Sequence, residues 1–241
     1  IEQAYSPALV AALCDELEAM RPVYAQLQKD AGIYEEAKNT YHNTIATCPT
    51  QLQLFDPFPF HDFLELYFGG RYILSTCGCT FIEPHTHVHT QNIHRDSRSH
   101  HPGERTLLNM LIMLDDSTEE NGATWILEGS QKTPDKPSED EFFNKAIRAT
   151  GKAGDVLFFD ANIWHCSGQN KSDRVRRIIT PMLSKPYFKQ GFDLPRALGY
   201  DLTYRISDQL RQILGYNART PSTLEEFYKT RDKRFYKCDQ G

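Results

Sequence analysis

The stretch Gly154-Asp155-Val156-Leu157-Phe158-Phe159-Asp160 is followed five residues later by His165. A Gly-Asp turn leads into a short run of apolar and aromatic residues, which is the pattern of a buried β-strand bounded by turn residues. Such a strand fixes the position of the chain that follows it, so it can deliver the imidazole of His165 to the interior of a β-barrel. This stretch therefore predicts a strand-rich core with a histidine facing its interior.

Similar short runs occur on both sides of this strand. They are rich in β-branched or aromatic residues and are bounded by Gly, Pro, Asp and Asn, as the strands of an all-β core are. The predicted strands are Tyr72–Ile82, Thr106–Leu114, Ala123–Leu127, Asp155–Asp160 and Val175–Leu183. One helical insert is predicted between them, from about Ser138 to Ala149. The sequence therefore predicts an all-β core over about residues 71–185.

Helical patterns flank this predicted core at both ends. Ser6-Pro7 has the residue types of a helix N-cap followed by proline at the first helical position. A second short helix is predicted over His61–Phe68, and Gly69-Gly70 ends it. Near the C-terminal end, apolar residues recur at helical spacing at Leu202, Ile206, Leu210 and Leu214. We predict a single domain over residues 1–241, in which a jelly roll lies between a helical flank (1–70) and a helical C-terminal segment (186–241).

The composition argues against several functional classes. Lys and Arg number 27 against 32 Asp and Glu, so the net charge is −5 and the chain lacks the basic character that nucleic-acid binding needs. The longest apolar stretch, around Leu107–Leu114, is too short to span a bilayer. Six cysteines are scattered rather than spaced as a disulfide framework: Cys14, Cys48, Cys77, Cys79, Cys166 and Cys238. We therefore expect a cytoplasmic protein with reduced thiols that binds neither nucleic acid nor membrane.

The tripeptide His94-Arg95-Asp96 carries two metal-binding side chains at positions i and i+2. In an extended segment these side chains point to the same face, so both can reach one ion. His165 is the best remaining candidate for a third ligand. Two imidazoles and one carboxylate on one face of an octahedron leave three positions open, which is the arrangement of non-heme Fe(II) oxygenases. The HxD spacing alone often arises by chance, so the prediction of an iron site depends on the surrounding residues.

Around these ligands the chain resembles the phytanoyl-CoA dioxygenase-like family of Fe(II)/2-oxoglutarate oxygenases. The family's motifs occur in order between about residues 73 and 181. They are Gln91-Asn92-Ile93-His94-Arg95-Asp96, Leu111-Ile112-Met113-Leu114-Asp115-Asp116, Glu120-Asn121-Gly122-Ala123-Thr124, Glu128-Gly129-Ser130-Gln131, Gly154-Asp155, His165-Cys166-Ser167-Gly168-Gln169-Asn170 and Arg176. One motif departs from the pattern, because Glu128-Gly129-Ser130-Gln131 stands where Pro-Gly-Ser-His is usual. The resemblance implies a double-stranded β-helix (jelly-roll, cupin-like) core that uses Fe(II), 2-oxoglutarate and O2.

The resemblance also implies residues for 2-oxoglutarate. Its distal carboxylate needs a cation, and a planar guanidinium can give it two parallel hydrogen bonds. The family's arginine lies eleven residues beyond the distal histidine, which corresponds to Arg176. Strand alternation by itself does not distinguish Arg176 from Arg177. Resemblance to several family members further implies Gln91 and Thr124 as polar contacts to 2-oxoglutarate, and Ser167 beside the arginine.

Two other patterns leave alternatives open. His85-x-His87-x-His89 would line one face of a strand and could bind zinc, copper or nickel. Pro84 precedes this pattern and favours a loop, in which the histidines would lie near the mouth of the site and hydrogen-bond a polar substrate. Asn109 interrupts an apolar strand, and it either faces the site or caps a solvated face.

These patterns together predict a 2-oxoglutarate-dependent dioxygenase. We expect it to hydroxylate an unactivated C–H bond of a small polar metabolite or natural-product intermediate, with release of succinate and CO2. The alternative is a cupin-like isomerase or binding protein that is not an oxygenase and holds its metal with His85, His87 and His89. The sequence specifies neither the substrate nor the oligomeric state.

Overall fold

Two antiparallel β-sheets flanked by helices form the fold in this computed structural model, which describes residues 1–101 and 103–234. The strands in chain order are β1 (Thr40–Tyr41), β2 (Ile73–Ile82), β3 (Leu107–Met113), β4 (Thr124–Ile126), β5 (Ile147–Ala149), β6 (Val156–Asp160), β7 (His165–Cys166) and β8 (Arg176–Ser184). The larger sheet has the order β1-β2-β8-β3-β6, and the smaller sheet has the order β5-β4-β7. The five predicted strands are therefore present, with shifts of one residue at most of their ends.

The helices flank these sheets in sequence as the apolar patterns predict. They are α1 (Pro7–Asp30), α2 (Tyr34–Ala37), α3 (His61–Phe68), α4 (Glu139–Lys145), α5 (Leu194–Leu198), α6 (Asp208–Ile213) and α7 (Leu224–Phe227). The Ser6 hydroxyl accepts a hydrogen bond from the Leu9 N–H and so caps α1, and Gly69 ends α3 with a φ of 70°. Helical segments, including short 3-10 turns, contain more residues than the strands do. The description all-β therefore applies to the core and not to the whole chain.

Two helical predictions need correction. The insert predicted over Ser138–Ala149 is helical only as far as Lys145, because Ile147–Ala149 pairs with β4 as strand β5. Backbone pairing with a neighbouring strand overrides local helical propensity there. The C-terminal segment is helical as predicted, but the stripe of Leu202, Ile206, Leu210 and Leu214 is not on one helix. Leu202 lies in the 3-10 helix Tyr200–Tyr204, and Leu210 lies in α6. The last residues of this segment, 235–241 with Cys238, lie outside the described residues.

The side chains of β3 alternate between two apolar regions of the molecule. Leu108, Met110 and Ile112 pack into the helical side of the larger sheet. That core also contains Leu13 and Leu17 of α1, and burying a leucine side chain fully contributes about 1.5–3 kcal/mol. The alternate residues of β3 face the other way, where apolar side chains of both sheets meet: Leu111, Met113, Ile126 and Ile178. The interior of the core therefore extends into the space between the two sheets.

Two further observations concern the cysteines and the helices. Five cysteines are buried and unpaired: Cys14, Cys48, Cys77, Cys79 and Cys166. Within residues 1–101 and 103–234, no helix combines the length and the apolar character needed to cross a bilayer.

Candidate metal centre and co-substrate site

The three predicted metal ligands converge because the HxD segment pairs with strand β7. The backbone N–H of His94 donates to the carbonyl of His165 at 3.0 Å, and the N–H of His165 donates back at 2.9 Å. The N–H of Asp96 donates to the carbonyl of Ala161 at 3.1 Å, which fixes the other end of the segment. One donor atom from each of His94, Asp96 and His165 lies within 4.8 Å of the other two. A single ion could therefore reach all three.

Hydrogen bonds orient both imidazoles for metal binding. Nδ1 of His94 lies 2.7 Å from the carbonyl oxygen of Asn92, and Nδ1 of His165 lies 3.0 Å from that of Ile163. A carbonyl only accepts, so each Nδ1 carries the proton and each Nε2 keeps its lone pair. The two Nε2 atoms lie 3.5 Å and 3.7 Å from carboxylate oxygens of Asp96. This donor set of two nitrogens and one oxygen fits Fe(II).

Burial favours the neutral form of His165. His165 is only 6% exposed, and desolvation lowers the pKa of its imidazole. The negative charge of Asp96 partly opposes this shift, and the nearby His94 adds to it. A protonated imidazole cannot bind a metal, because both nitrogens are then donors. The buried position therefore keeps His165 ready to bind a cation at neutral pH.

Asn109 orients the carboxylate of Asp96. Its Nδ2 donates to Oδ2 of Asp96 at 2.7 Å, and the residue is buried in the middle of β3. Of the two alternatives that the sequence left open, Asn109 therefore faces the site. The hydrogen bond engages Oδ2, while Oδ1 lies 3.5 Å from Nε2 of His94.

The Asn109→Leu variant is expected to bind Co²⁺ about tenfold more weakly than the wild type, because loss of a hydrogen bond to a ligand typically costs about 10–100-fold in metal affinity. Calorimetric titration of the apoprotein with Co²⁺ measures the change. Asn144→Leu is the matched control, because Asn144 is exposed on α4. Unchanged Co²⁺ affinity in a folded Asn109→Leu protein would contradict this role.

A cavity of about 570 Å³ opens beside the three ligands. Thr124 and Ser167, two of the residues predicted for 2-oxoglutarate, line this cavity. His42 and Arg98 line it as well, although the sequence offered no motif that singled them out. Among the described residues that line the cavity, Asp96 is the one carboxylate.

Arg176 is fully buried and is the first residue of β8. Its Nε donates to the carbonyl of Asn121 at 3.1 Å and its Nη2 to that of Gly122 at 2.5 Å, but its Nη1 has no hydrogen-bond partner among the described residues. Burial, and then the nearby Arg148 cation, lower its pKa to about 9, so the group is still protonated at neutral pH. A buried cation with an unpaired N–H is costly. This arrangement fits a carboxylate partner.

Arg177, the alternative to Arg176, is already paired. Its Nε and Nη2 lie 2.9 Å and 2.7 Å from the two carboxylate oxygens of Asp115, and this hydrogen-bonded pair raises its pKa. Arg176, in contrast, shares a strand face with Ile178 and Thr180, both of which line the cavity. The guanidinium fork of Arg177 is therefore not available for a second carboxylate.

Gln91 does not line the cavity. Its side-chain amide lies 3.5 Å from the carbonyl oxygens of both Thr86 and Gly168, and it closes the loop between β2 and the HxD segment. The structure therefore brings Thr124 and Ser167 to the cavity wall, and it places Arg176 behind the wall, on the face of β8 that carries the lining residues Ile178 and Thr180. It leaves Gln91 in a loop contact.

Gly122 provides one of the two carbonyls that accept hydrogen bonds from Arg176. It has a φ of +85°, and a Cβ there would lie 2.4 Å from the carbonyl oxygen of Gly168. Gly122→Ala is therefore expected to destabilise the fold by about 1–3 kcal/mol from backbone strain, with a further cost from the clash. Urea unfolding measures the change. Gly129→Ala is the matched control, because Gly129 has a φ of +80° but nothing within 4 Å of its added Cβ. Equal losses in the two variants would contradict the predicted clash.

Of the three histidines, His85 and His87 lie in a loop, as Pro84 favours, and His89 begins the 3-10 helix His89–Gln91. All three are exposed, and His85 has a left-handed φ of 53°. Within residues 1–101 and 103–234, the group of side chains close enough to share an ion is His94, Asp96 and His165. The alternative cluster therefore does not form, although His89 lines the cavity and lies with its ring centroid 6.5 Å from that of His42.

Comparison with known proteins identifies relatives of this chain. The uncharacterized protein Rv1501 of Mycobacterium tuberculosis is 32% identical over 134 residues, which cover 56% of this chain and 49% of that protein. The dioxygenase cdmA of Talaromyces verruculosus is 28% identical over 174 residues, which cover 66% of this chain and 56% of that protein. The chain thus spans about half of the length of the curated relatives it matches.

Solved structures share the fold at low sequence identity. AviO1 from Streptomyces viridochromogenes Tue57 superposes with a TM-score of 0.59 at 20% identity, covering 77% of this chain and 88% of that one. HygX from Streptomyces hygroscopicus was solved with nickel and 2-oxoglutarate bound. It superposes with a TM-score of 0.60 at 13% identity, covering 79% of this chain and 83% of that one. The sequence model named phytanoyl-CoA dioxygenase (PhyH) matches residues 1–178, well over half of the 241. The family predicted from the ordered motifs is therefore confirmed, and this chain belongs to the phytanoyl-CoA dioxygenase family.

Proposed function

We propose that this chain is an Fe(II)- and 2-oxoglutarate-dependent dioxygenase in which His94, Asp96 and His165 bind the metal. The convergence of their donor atoms within 4.8 Å carries this proposal. The curated relatives support it, since one of them, penM of Penicillium thymicola, is described as an iron/alpha-ketoglutarate-dependent dioxygenase. When bound, the iron would activate O2, and oxidative decarboxylation of 2-oxoglutarate would yield succinate and CO2. The protein supplies the binding, orientation and electrostatics.

The unpaired Nη1 of Arg176 favours this function over a metal site without a co-substrate. Arg176 would bind the distal carboxylate of 2-oxoglutarate, because that N–H is buried and has no partner among the described residues. Nη1 is enclosed by protein, so the contact needs a small movement of the cavity wall. Thr124 and Ser167 would offer hydroxyls from that wall. Gln91 would join them only by giving up its contacts with the loop carbonyls.

The substrate that suits this cavity is a small, polar, neutral or anionic molecule. Hydroxyl, amide and imidazole groups lie beside a larger apolar share of its wall, and Asp96, the one carboxylate among the described lining residues, is assigned to the metal. A cationic amine would therefore find no free counter-charge. Desolvation lowers the pKa of His42 and His89, so both are neutral at pH 7 and can hydrogen-bond a hydroxyl or carbonyl. Hydroxylation of an unactivated C–H bond is the proposed outcome.

The proposed architecture is a double-stranded β-helix within a single domain. The face-to-face packing of the two antiparallel sheets and the bridge between His94 and His165 support it. The buried, unpaired cysteines support the proposed cytoplasmic location.

Anaerobic addition of Fe(II) and 2-oxoglutarate tests the proposed function. A weak visible charge-transfer band is expected, because the keto-acid end of 2-oxoglutarate would chelate the iron. A folded protein that gives no such band would not be a 2-oxoglutarate oxygenase. Succinate release across a set of sugars, amino acids, nucleosides and acyl thioesters then identifies the substrate class, and a preference for acyl thioesters would contradict the small polar substrate.

A further inference from the structure

Both tryptophans of the chain lie against an arginine guanidinium, and both are neighbours in sequence of a proposed site residue. Cζ of Arg95 lies 4.1 Å from the ring centroid of Trp164. Cζ of Arg148 lies 4.5 Å from that of Trp125. At these distances the cation is attracted by the face of the ring.

The first stack joins the two segments that carry the metal ligands. Arg95 stands between His94 and Asp96, and Trp164 directly precedes His165. Successive side chains of extended backbone point to opposite sides. The stack therefore lies on the side of the two segments opposite to the metal ligands. Arg95 also donates from Nη2 to the carbonyl of Thr133 at 2.7 Å, which ties it to a third segment.

The second stack lies behind the co-substrate wall. Trp125 follows Thr124, and Arg148 faces it across the pairing of β4 with β5. Nη2 of Arg148 donates to the carbonyl of Glu119 at 2.7 Å. The same guanidinium packs against the backbone of Gly168, where an added Cβ would lie 2.6 Å from Nη1 and Nη2. It thus contacts the chain next to Ser167.

The guanidinium groups of Arg148 and Arg176 both donate hydrogen bonds to the turn between β3 and β4. Arg148 binds the carbonyl of Glu119, and Arg176 binds those of Asn121 and Gly122. A displacement of the turn would therefore move the guanidinium of Arg176 relative to the cavity. Neither Arg148 nor Trp125 lines the cavity itself.

We propose that the two stacks are separate positioning devices, the first for the metal and the second for 2-oxoglutarate. The Arg95–Trp164 stack holds the ligand segments in place before the ion binds. The Arg148–Trp125 stack holds the turn that orients Arg176. Ligands held in place in advance lose less freedom on binding, so each stack raises one affinity. This inference rests on the proposed function.

The experiment compares Arg95→Met with Arg148→Met, since methionine keeps a flexible apolar chain over the ring without the charge. Calorimetry measures the Kd of Co²⁺ on the apoprotein, and then the Kd of 2-oxoglutarate on the Co²⁺-saturated protein. Arg95→Met is expected to raise the Co²⁺ Kd about tenfold and to leave the 2-oxoglutarate Kd within about twofold, on the scale of other supporting residues at metal sites. Arg148→Met is expected to raise the 2-oxoglutarate Kd about tenfold and to leave the Co²⁺ Kd within about twofold, on the same scale.

Five further variants separate positioning from general damage. Lysine at either position keeps a cation over the ring and is expected to restore most of the lost affinity. Arg219→Met removes a stack on Tyr200, in the C-terminal segment, and should change neither constant. If either Met variant does not fold, as judged by its melting temperature, Trp164→Phe and Trp125→Phe should give the same pattern with smaller shifts.

The outcomes distinguish this inference from the proposed function. Two folded variants that shift both constants equally, or neither constant, would overturn the assignment of separate roles. A wild-type protein that binds Co²⁺ but not 2-oxoglutarate would instead overturn the proposed function.

Discussion

Replacing His94 with alanine is expected to abolish the charge-transfer band of the Fe(II) and 2-oxoglutarate complex. The change removes one of three donors, and the remaining pair, Asp96 and His165, cannot complete the three-donor face. Loss of a group that only supports a ligand costs about 10–100-fold in metal affinity, so loss of the ligand itself should exceed about 100-fold. Calorimetric titration with Co²⁺ and the visible spectrum under anaerobic conditions both measure this effect.

His87→Ala is the matched control for this experiment. His87 is exposed and lies outside the converging group, so the band and the Co²⁺ affinity should not change. The opposite pattern, in which His87→Ala loses metal and His94→Ala keeps it, would support the cupin-like alternative built on His85, His87 and His89.

Replacing Arg176 with methionine is expected to raise the Kd of 2-oxoglutarate by about 10–100-fold. Hydrogen bonds to charged groups contribute about 1.5–3 kcal/mol, and about 1.4 kcal/mol corresponds to a factor of ten. The Kd of Co²⁺ should stay the same, because Arg176 is not part of the ligand group. Calorimetry on the Co²⁺-saturated protein measures the loss.

Stability must be followed in the same experiment. Arg176→Met removes the hydrogen bonds that the guanidinium donates to the carbonyls of Asn121 and Gly122, and a hydrogen bond to a charged group contributes about 1.5–3 kcal/mol to stability. Arg177→Met is the control, because it breaks the ion pair with Asp115 and should lower stability without weakening 2-oxoglutarate binding. Weaker binding in the Arg177 variant and not in the Arg176 variant would reverse the assignment.

Local patterns predicted most of the elements. Ser6 caps α1 and Gly69 ends α3, because a side-chain oxygen or a left-handed glycine satisfies helix ends without help from distant residues. The short strands β1, β5 and β7 were not among the predicted strands. Each has only two or three residues, and such short segments become strands only when a distant partner offers backbone hydrogen bonds.

The sequence by itself determined the family and the kinds of side chain at the site. The spacing of His94 and Asp96, the turn and strand before His165, and the order of the motifs are all local properties of the chain. Residue type sets what each group can bind, and the period of a strand sets which neighbours share a face.

Only the tertiary structure decided which groups meet. Pairing of the HxD segment with β7 brings together ligands that are distant in sequence, and the register of β3 turns Asn109 toward Asp96. The packing of β8 buries Arg176 with one N–H that has no partner in the part of the chain that the structure describes, and it pairs Arg177 with Asp115. The physical reason is that alternation separates two faces of a strand, whereas the pairing and packing of distant segments decide which face is inside.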